Sequence, residues 1–276
     1  MAFDNAVPLY LPVYLRSRHR DLAGLRAMAQ LTEHLVFSSG WEWGYWQNDA
    51  LSLRMSYRLP EKWEDGVAEL FSGIPAASSL VTRLGEAQHR ALIVEELAPY
   101  LAGRDQVLDA AFSLGHVAAP DRPAFGSLDA SFSSTLARLA AHADEVEALA
   151  VEAAPLAGTD PFLDELVDGL EITAARARFS WAVFAAAQAF NTGQPHAPAL
   201  EIAKAQLVRG QRAAGRRRLA FHAPNGQQLI SEGSNPSFYD YGYLRDANTL
   251  CFWRRELAQV KNLVEQAGVP VPGCVL

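Results

Sequence analysis

The stretch that decides the fold is LDASFSSTLARLAAHADEVEALA, residues 128–150. Its apolar residues, Leu128, Phe132, Leu136, Leu139, Ala143, Val146 and Ala150, recur at alternating steps of four and three. That spacing keeps one face of a helix apolar and predicts a helix packed in a bundle seam. Downstream, Asp160-Pro161 combines an N-cap carboxylate with proline at the first helical position. It opens a long helix to about Asn191, with Leu166, Leu170, Phe179, Val183, Ala187 and Phe190 facing inward. Further helices are expected over Glu61–Phe71, Ala77–Leu101, Pro198–Phe221 and from about Asp246 or Phe252 to Ala267. The segments Ala223-Pro-Asn-Gly226 and Gly233-Ser-Asn-Pro236 read as turns. Residues 60–276 are therefore expected to form one α-helical, bundle-like domain.

Upstream of Pro60 the pattern changes. PLYLPVYL, Pro8–Leu15, is an aromatic and β-branched run that suits a buried strand, with Pro12 marking an edge or a bulge. Asp21 is placed to cap a short helix to Gln30 that turns Leu22, Leu25, Met28 and Ala29 to one face. His34–Ser38 reads as a second short strand. The expected fold is thus mainly α, a helical domain preceded by a short strand–helix–strand α/β segment over residues 1–59. Two strands do not make a stable sheet. The segment is therefore expected to be completed by a further N-terminal domain or by a partner chain.

Composition bounds the function. The 276 residues are 50% hydrophobic and 20% charged, which supports a packed core. A net charge of −7 offers no general attraction to nucleic acid or to anionic membranes. No apolar run approaches the ~20 residues of a membrane span. The Pro8–Leu15 run lacks the flanks of a signal peptide. The two cysteines, Cys251 and Cys274, have no zinc-site spacing. They are separated by one helix and a Pro/Gly tail that can fold back along it. One reading is a disulfide, which implies a periplasmic or secreted location. The other is one buried and one exposed free thiol.

The densest chemistry lies in Ser38–Asp49. Trp41, Trp43 and Trp46, half of the protein's six tryptophans, fall within six residues beside Tyr45. Glu42, Gln47, Asn48 and Asp49 are interleaved with them, and Gly40 and Gly44 permit close approach. Flat indole faces stack on pyranose C–H faces while carboxylates and amides pair with hydroxyls, so this loop suits a saccharide. Glu42 and Asp49 are the candidate catalytic carboxylates. Trp41, Trp43, Tyr45, Trp46 and Asn48 form the candidate binding platform. Arg16 and Arg18, in Arg16-Ser-Arg-His-Arg-Asp21, are placed to grip a substrate or to pair with Glu42 and Asp49. The competing reading makes the aromatic residues packing anchors and the arginines structural ion pairs. Glu86-Ala-Gln-His89 has di-iron-bundle spacing but no second copy, so no metal and no cofactor are expected. Arg209, Arg212, Arg216, Arg217 and Arg218 form a basic face whose expected partner is the acidic run Asp144–Glu171.

Taken together, LPVYLRSRHRD (Leu11–Asp21), HLVFSSGWEWGYWQND (His34–Asp49) and the long helices after Pro60 resemble the last part of a (β/α)8 glycoside hydrolase barrel and its helical post-barrel domain. The resemblance implies a carbohydrate-processing parent, whose catalytic carboxylates usually lie on strands absent from this chain. Two functions follow as expectations. One is a carbohydrate-active or carbohydrate-binding protein using the Trp41–Asp49 loop, with paired carboxylates for glycoside chemistry if it is catalytic. The other is a noncatalytic α-helical scaffold that docks through its aromatic N-terminal region.

Overall fold

The computed structural model describes residues 9–28, 33, 45–102, 123–217 and 250–273. Among them the chain is mainly helical and contains no strand. We number the helices α1 (Val13–Ala27), α2 (Tyr45–Tyr57), α3 (Trp63–Leu70), α4 (Pro75–His89), α5 (Ala98–Ala102), α6 (Ser133–Ala153), α7 (Pro161–Asn191), α8 (Ala197–Arg217) and α9 (Cys251–Glu265).

The centre of the molecule is α7, which starts as the sequence predicts. The Asp160 carboxylate accepts the Phe162 N–H at 2.8 Å, and Pro161 occupies the first turn. Leu166, Leu170, Ile172, Ala174, Phe179, Val183 and Ala187 are all buried, and together they cover more than one side of the helix. A helix apolar around most of its circumference must be covered around most of its circumference. Here α6 and α8 lie along it, and α9 covers a further part. The seam residues Leu139, Ala143, Val146 and Ala150 of α6 are buried as their spacing requires. Alanines and glycines on these faces bring the axes close. At Gly210 of α8, an added Cβ would lie 2.7 Å from the Trp253 ring of α9.

Two sequence expectations are corrected. The first expected strand does not form, because Val13–Leu15 belong to α1. Pro12 sits just before the first helical residue, where its missing N–H forfeits no intrahelical bond. The free Val13 N–H donates to the Gln88 side-chain carbonyl of α4 at 3.2 Å. Burial of the run is as expected: Leu9, Tyr10, Leu11, Val13 and Leu15 are all in the core. The strand–helix–strand unit is therefore replaced by an extended entry into a helix. Its second strand, His34–Ser38, lies outside the described residues.

The second correction concerns Ala77–Leu101, which is not one helix. After α4 the chain makes a π turn over Arg90–Val94, with Glu95 N–H bonded to Arg90 C=O at 2.9 Å. Glu96 then adopts φ 56°, a left-handed conformation that ends helical propagation. Pro99 falls in the first turn of the short helix α5. Buried apolar residues before and after position 60 nevertheless form one cluster, running from Leu9 to Val264.

Candidate functional site

The most concentrated buried polar chemistry surrounds Tyr10, in the extended segment before α1. The Tyr10 N–H donates to Thr173 Oγ1 at 3.2 Å, and its carbonyl accepts from Gln88 Nε2 at 2.7 Å. Its hydroxyl donates to the Gln47 side-chain carbonyl. Thr173 passes a hydrogen bond on to the Gly169 carbonyl at 2.7 Å. One residue is thereby fastened to α2, α4 and α7 together. Gly169 makes the approach possible, since a Cβ there would stand 2.9 Å from Tyr10 Cβ. Tyr10 is 3% exposed. Burial, reinforced by the negative charge of Glu165 and opposed by the Gln47 bond, holds its hydroxyl pKa well above the usual tyrosine value. The phenol therefore stays protonated and remains a hydrogen-bond donor at neutral pH. One amide group in this clasp is unused: Gln47 Nε2 is buried and has no partner.

Beside the clasp, Glu86 of α4 accepts from Trp63 Nε1 at 3.3 Å and pairs with Arg16 Nε at 3.5 Å. Trp63 packs closely on α4, where a Cβ on Gly85 would reach its ring at 2.7 Å. Arg16 Nε thus joins an ion pair whose carboxylate is Glu86, while among the described residues its Nη1 is buried without a hydrogen-bond partner. Among the described residues, no three His, Cys, Asp or Glu side chains gather where they could hold a metal.

The sequence-derived site is only partly described. Trp41, Glu42 and Trp43 lie outside the described residues. The backbone of Tyr45 and Trp46 belongs to the first turn of α2. Asn48 and Asp49 follow on the same helix and are half-buried. Arg18 projects from α1, exposed and without an ion pair among the described residues. The structure thus places Arg16 and Arg18 on one helix and Asn48 and Asp49 on the next, and it joins Arg16 to neither Asn48 nor Asp49.

Elsewhere, charged groups pair across the bundle. Arg209 of α8 meets Glu147 of α6 at 2.6 Å and Glu171 of α7 at 3.7 Å. Arg216 reaches Asp168 at 2.5 Å and also pairs with Glu171, while Arg178 pairs with Asp144. Arg209 and Arg216 of the expected basic face therefore meet the acidic run, while Arg218 lies outside the described residues. A fully buried pair joins α7 to α9: Arg176 Nη1 donates to Glu256 Oε2 at 2.5 Å, with side chains 1% and 3% exposed. Its Nε donates to the Leu101 carbonyl at 2.7 Å, and its guanidinium lies 5.4 Å from the ring centroids of both Phe179 and Trp253. Cys251, the first residue of α9, is disulfide-bonded. The only other cysteine in the sequence, Cys274, lies outside the described residues.

The Tyr10 clasp and the Arg176 pair were missed in the sequence, although each leaves a trace there. Gln88 follows Leu84 by four residues, and Thr173 follows Leu170 by three, so both put a polar group on an inward stripe. A polar residue at such a position requires a partner. No described helix is long and apolar enough to cross a membrane. No family model, no curated protein and no solved structure matches this chain.

Proposed function

We propose that this chain is a noncatalytic α-helical scaffold whose aromatic N-terminal region is a docking element. The observation that supports this reading most is the Tyr10 clasp. Its backbone N–H, carbonyl and hydroxyl are each bonded to a different helix, so the buried polar groups of this region hold the chain together. The clasp fixes where α1 leaves the core, and hence what α1 and α2 present to solvent. Arg16 Nε and Trp63 Nε1, which are also groups suited to ligand binding, are directed at Glu86.

A saccharide-binding reading keeps a place because of one feature of α2. Tyr45 and Asp49 stand one helical turn apart in its backbone, as do Trp46 and Asp49, so aromatic and carboxylate positions share a helix end. Under that reading Glu42 and Asp49 remain the candidate carboxylates, and the glycoside hydrolase resemblance supplies the substrate class.

One pair of measurements separates the two. The scaffold reading expects Tyr10→Phe to lower the melting temperature by several degrees, as losing about 1 kcal/mol of hydrogen bonding should. It also expects no response to any saccharide on a glycan array. If Trp43→Ala or Trp46→Ala abolishes binding to a defined glycan while the melting temperature holds, the scaffold reading is wrong.

A further inference from the structure

The C-terminal turns of α1 and α2 lie side by side. Arg26 Nη2 donates to the carbonyls of Met55 at 3.1 Å and Ser56 at 2.7 Å, and the His19 ring meets the Pro60 carbonyl at 2.9 Å. Of the face Leu22, Leu25 and Met28 expected from the sequence, Leu22 is buried with Val13 and Leu15, while Leu25 and Met28 are exposed. Four large apolar side chains then surround the Arg26 bridge, with exposures of 40% for Leu25, 75% for Met28, 47% for Leu53 and 90% for Tyr57. Single exposed apolar residues are ordinary, whereas several gathered near one bridge are a feature of interaction surfaces.

The charges around this group are mostly cationic. Arg54 follows Leu53 on α2, Arg58 is the first residue after Tyr57, where α2 ends, and Arg18 lies two turns before Leu25 on the same side of α1. All three are exposed and, among the described residues, have no ion pair. Asp21 stands one turn before Leu25 on α1 and Asp49 one turn before Leu53 on α2, so these three arginines face two carboxylates and the balance is positive in a chain whose net charge is −7. Tyrosine, methionine and arginine are the residue types enriched at protein interfaces, and tyrosine and arginine dominate their energetics.

We propose that this surface docks an acidic amphipathic helix of another protein, its apolar face on Leu25, Met28, Leu53 and Tyr57 and its carboxylates on Arg18, Arg54 and Arg58. The proposal rests on the scaffold reading above. Charge selects the occupant. A second copy in a two-fold contact would set one net-positive patch against another. Nucleic acid offers phosphates but no apolar face for Met28 and Tyr57, and the chain's overall charge opposes it. An acidic helix supplies both halves of the match.

The test uses the full chain and three synthetic helical peptides in fluorescence anisotropy. One is amphipathic with glutamates flanking a leucine face, one has lysines in place of the glutamates, and one keeps the glutamates but has alanines on the apolar face. Binding of the first alone is expected, weakening steeply with salt. Tyr57→Ala and the double variant Arg54→Glu/Arg58→Glu should each weaken it by about tenfold or more with the melting temperature unchanged. Equal binding of the acidic and basic peptides, or indifference to those variants, overturns the proposal. So does capture by phosphatidylserine vesicles without peptide binding, which would make the surface a lipid contact. A null peptide result alongside a destabilising Tyr10→Phe removes this surface but leaves the scaffold reading intact. A glycan response lost with Trp43 or Trp46 removes the scaffold reading itself.

Discussion

Arg209 and Arg216 of α8 behave in the opposite way to Arg18 of α1, Arg54 of α2 and Arg58 just after it. Arg209 and Arg216 end on carboxylates of α6 and α7, closing charge across helices whose alanine-rich faces already touch. Arg18, Arg54 and Arg58 end in solvent beside exposed Leu25, Met28, Leu53 and Tyr57. Side chains of one type thus serve two ends. Where a facing helix offers carboxylates, the cation is consumed within the fold. Where no described carboxylate faces it, as at Arg18, Arg54 and Arg58, the cation stays available to a partner. Among the described residues, the central bundle matches Arg209 and Arg216 with carboxylates, whereas the α1–α2 end leaves exposed arginines beside exposed apolar side chains.

The hardest way to break this contrast is to attack the bundle at its buried pair. Arg176→Ala leaves Glu256 charged, nearly fully buried and without its guanidinium partner, which should cost about 3–5 kcal/mol in urea unfolding. Replacing both partners, as Arg176→Met/Glu256→Leu, should recover most of that loss, because no unpaired charge is then buried. A single variant costing under about 1 kcal/mol would show that α9 is not held through this pair.

Acid should probe the same region from inside. His142 of α6 is buried, its Nδ1 has no partner, and burial drives its pKa down to about 4, with Glu145 opposing and Arg90 adding to the fall. The folded chain therefore holds the ring neutral below the ordinary histidine value near 6.5. The unfolded chain takes up the proton first, so this contribution is fully present above pH 6.5 and is lost as the pH falls towards 4. The expected loss is on the order of 3 kcal/mol over that window. His142→Gln should flatten it, while Arg54→Ala should leave it unchanged. Stability curves that coincide for the histidine and glutamine proteins would contradict this assignment.

How legible each region was in the sequence follows from how local its determinants are. The α6 seam and the Asp160-Pro161 start of α7 were readable because spacing and capping act within one or two turns. The α8 ion pairs were readable because two long runs of opposite charge had to face each other or solvent. Pro8–Leu15 was read correctly as buried and wrongly as strand. An aromatic, β-branched run specifies burial, but Pro12 suits a strand edge or a helix start equally well. The deciding contact is Gln88, 75 residues from Val13. The same distance problem hid the Tyr10 clasp, whose other partners stand 37 residues away at Gln47 and 163 away at Thr173. Asp21 does not cap a helix but lies inside α1, which starts at Val13, and of the expected face Leu22 is buried whereas Leu25 and Met28 are exposed.

The smallest expected effect gives the finest test of the contrast. Arg216→Ala removes a half-exposed guanidinium from Asp168 and Glu171, and exposed pairs contribute only about 0–1 kcal/mol. Asp168 is the more buried partner, and burial already raises its pKa, with Arg216 pulling it back. Losing the arginine should therefore raise that pKa further, and Asp168→Asn should relieve the variant. Both effects should shrink as salt screens the pair. Arg54→Ala and Arg58→Ala have no carboxylate to strand, so each should change stability by less than about 0.5 kcal/mol at any salt concentration. A salt-dependent loss at Arg54 or Arg58 of the size seen at Arg216 would mean that the α1–α2 cations are also consumed within the fold, and the distinction between the two regions would collapse.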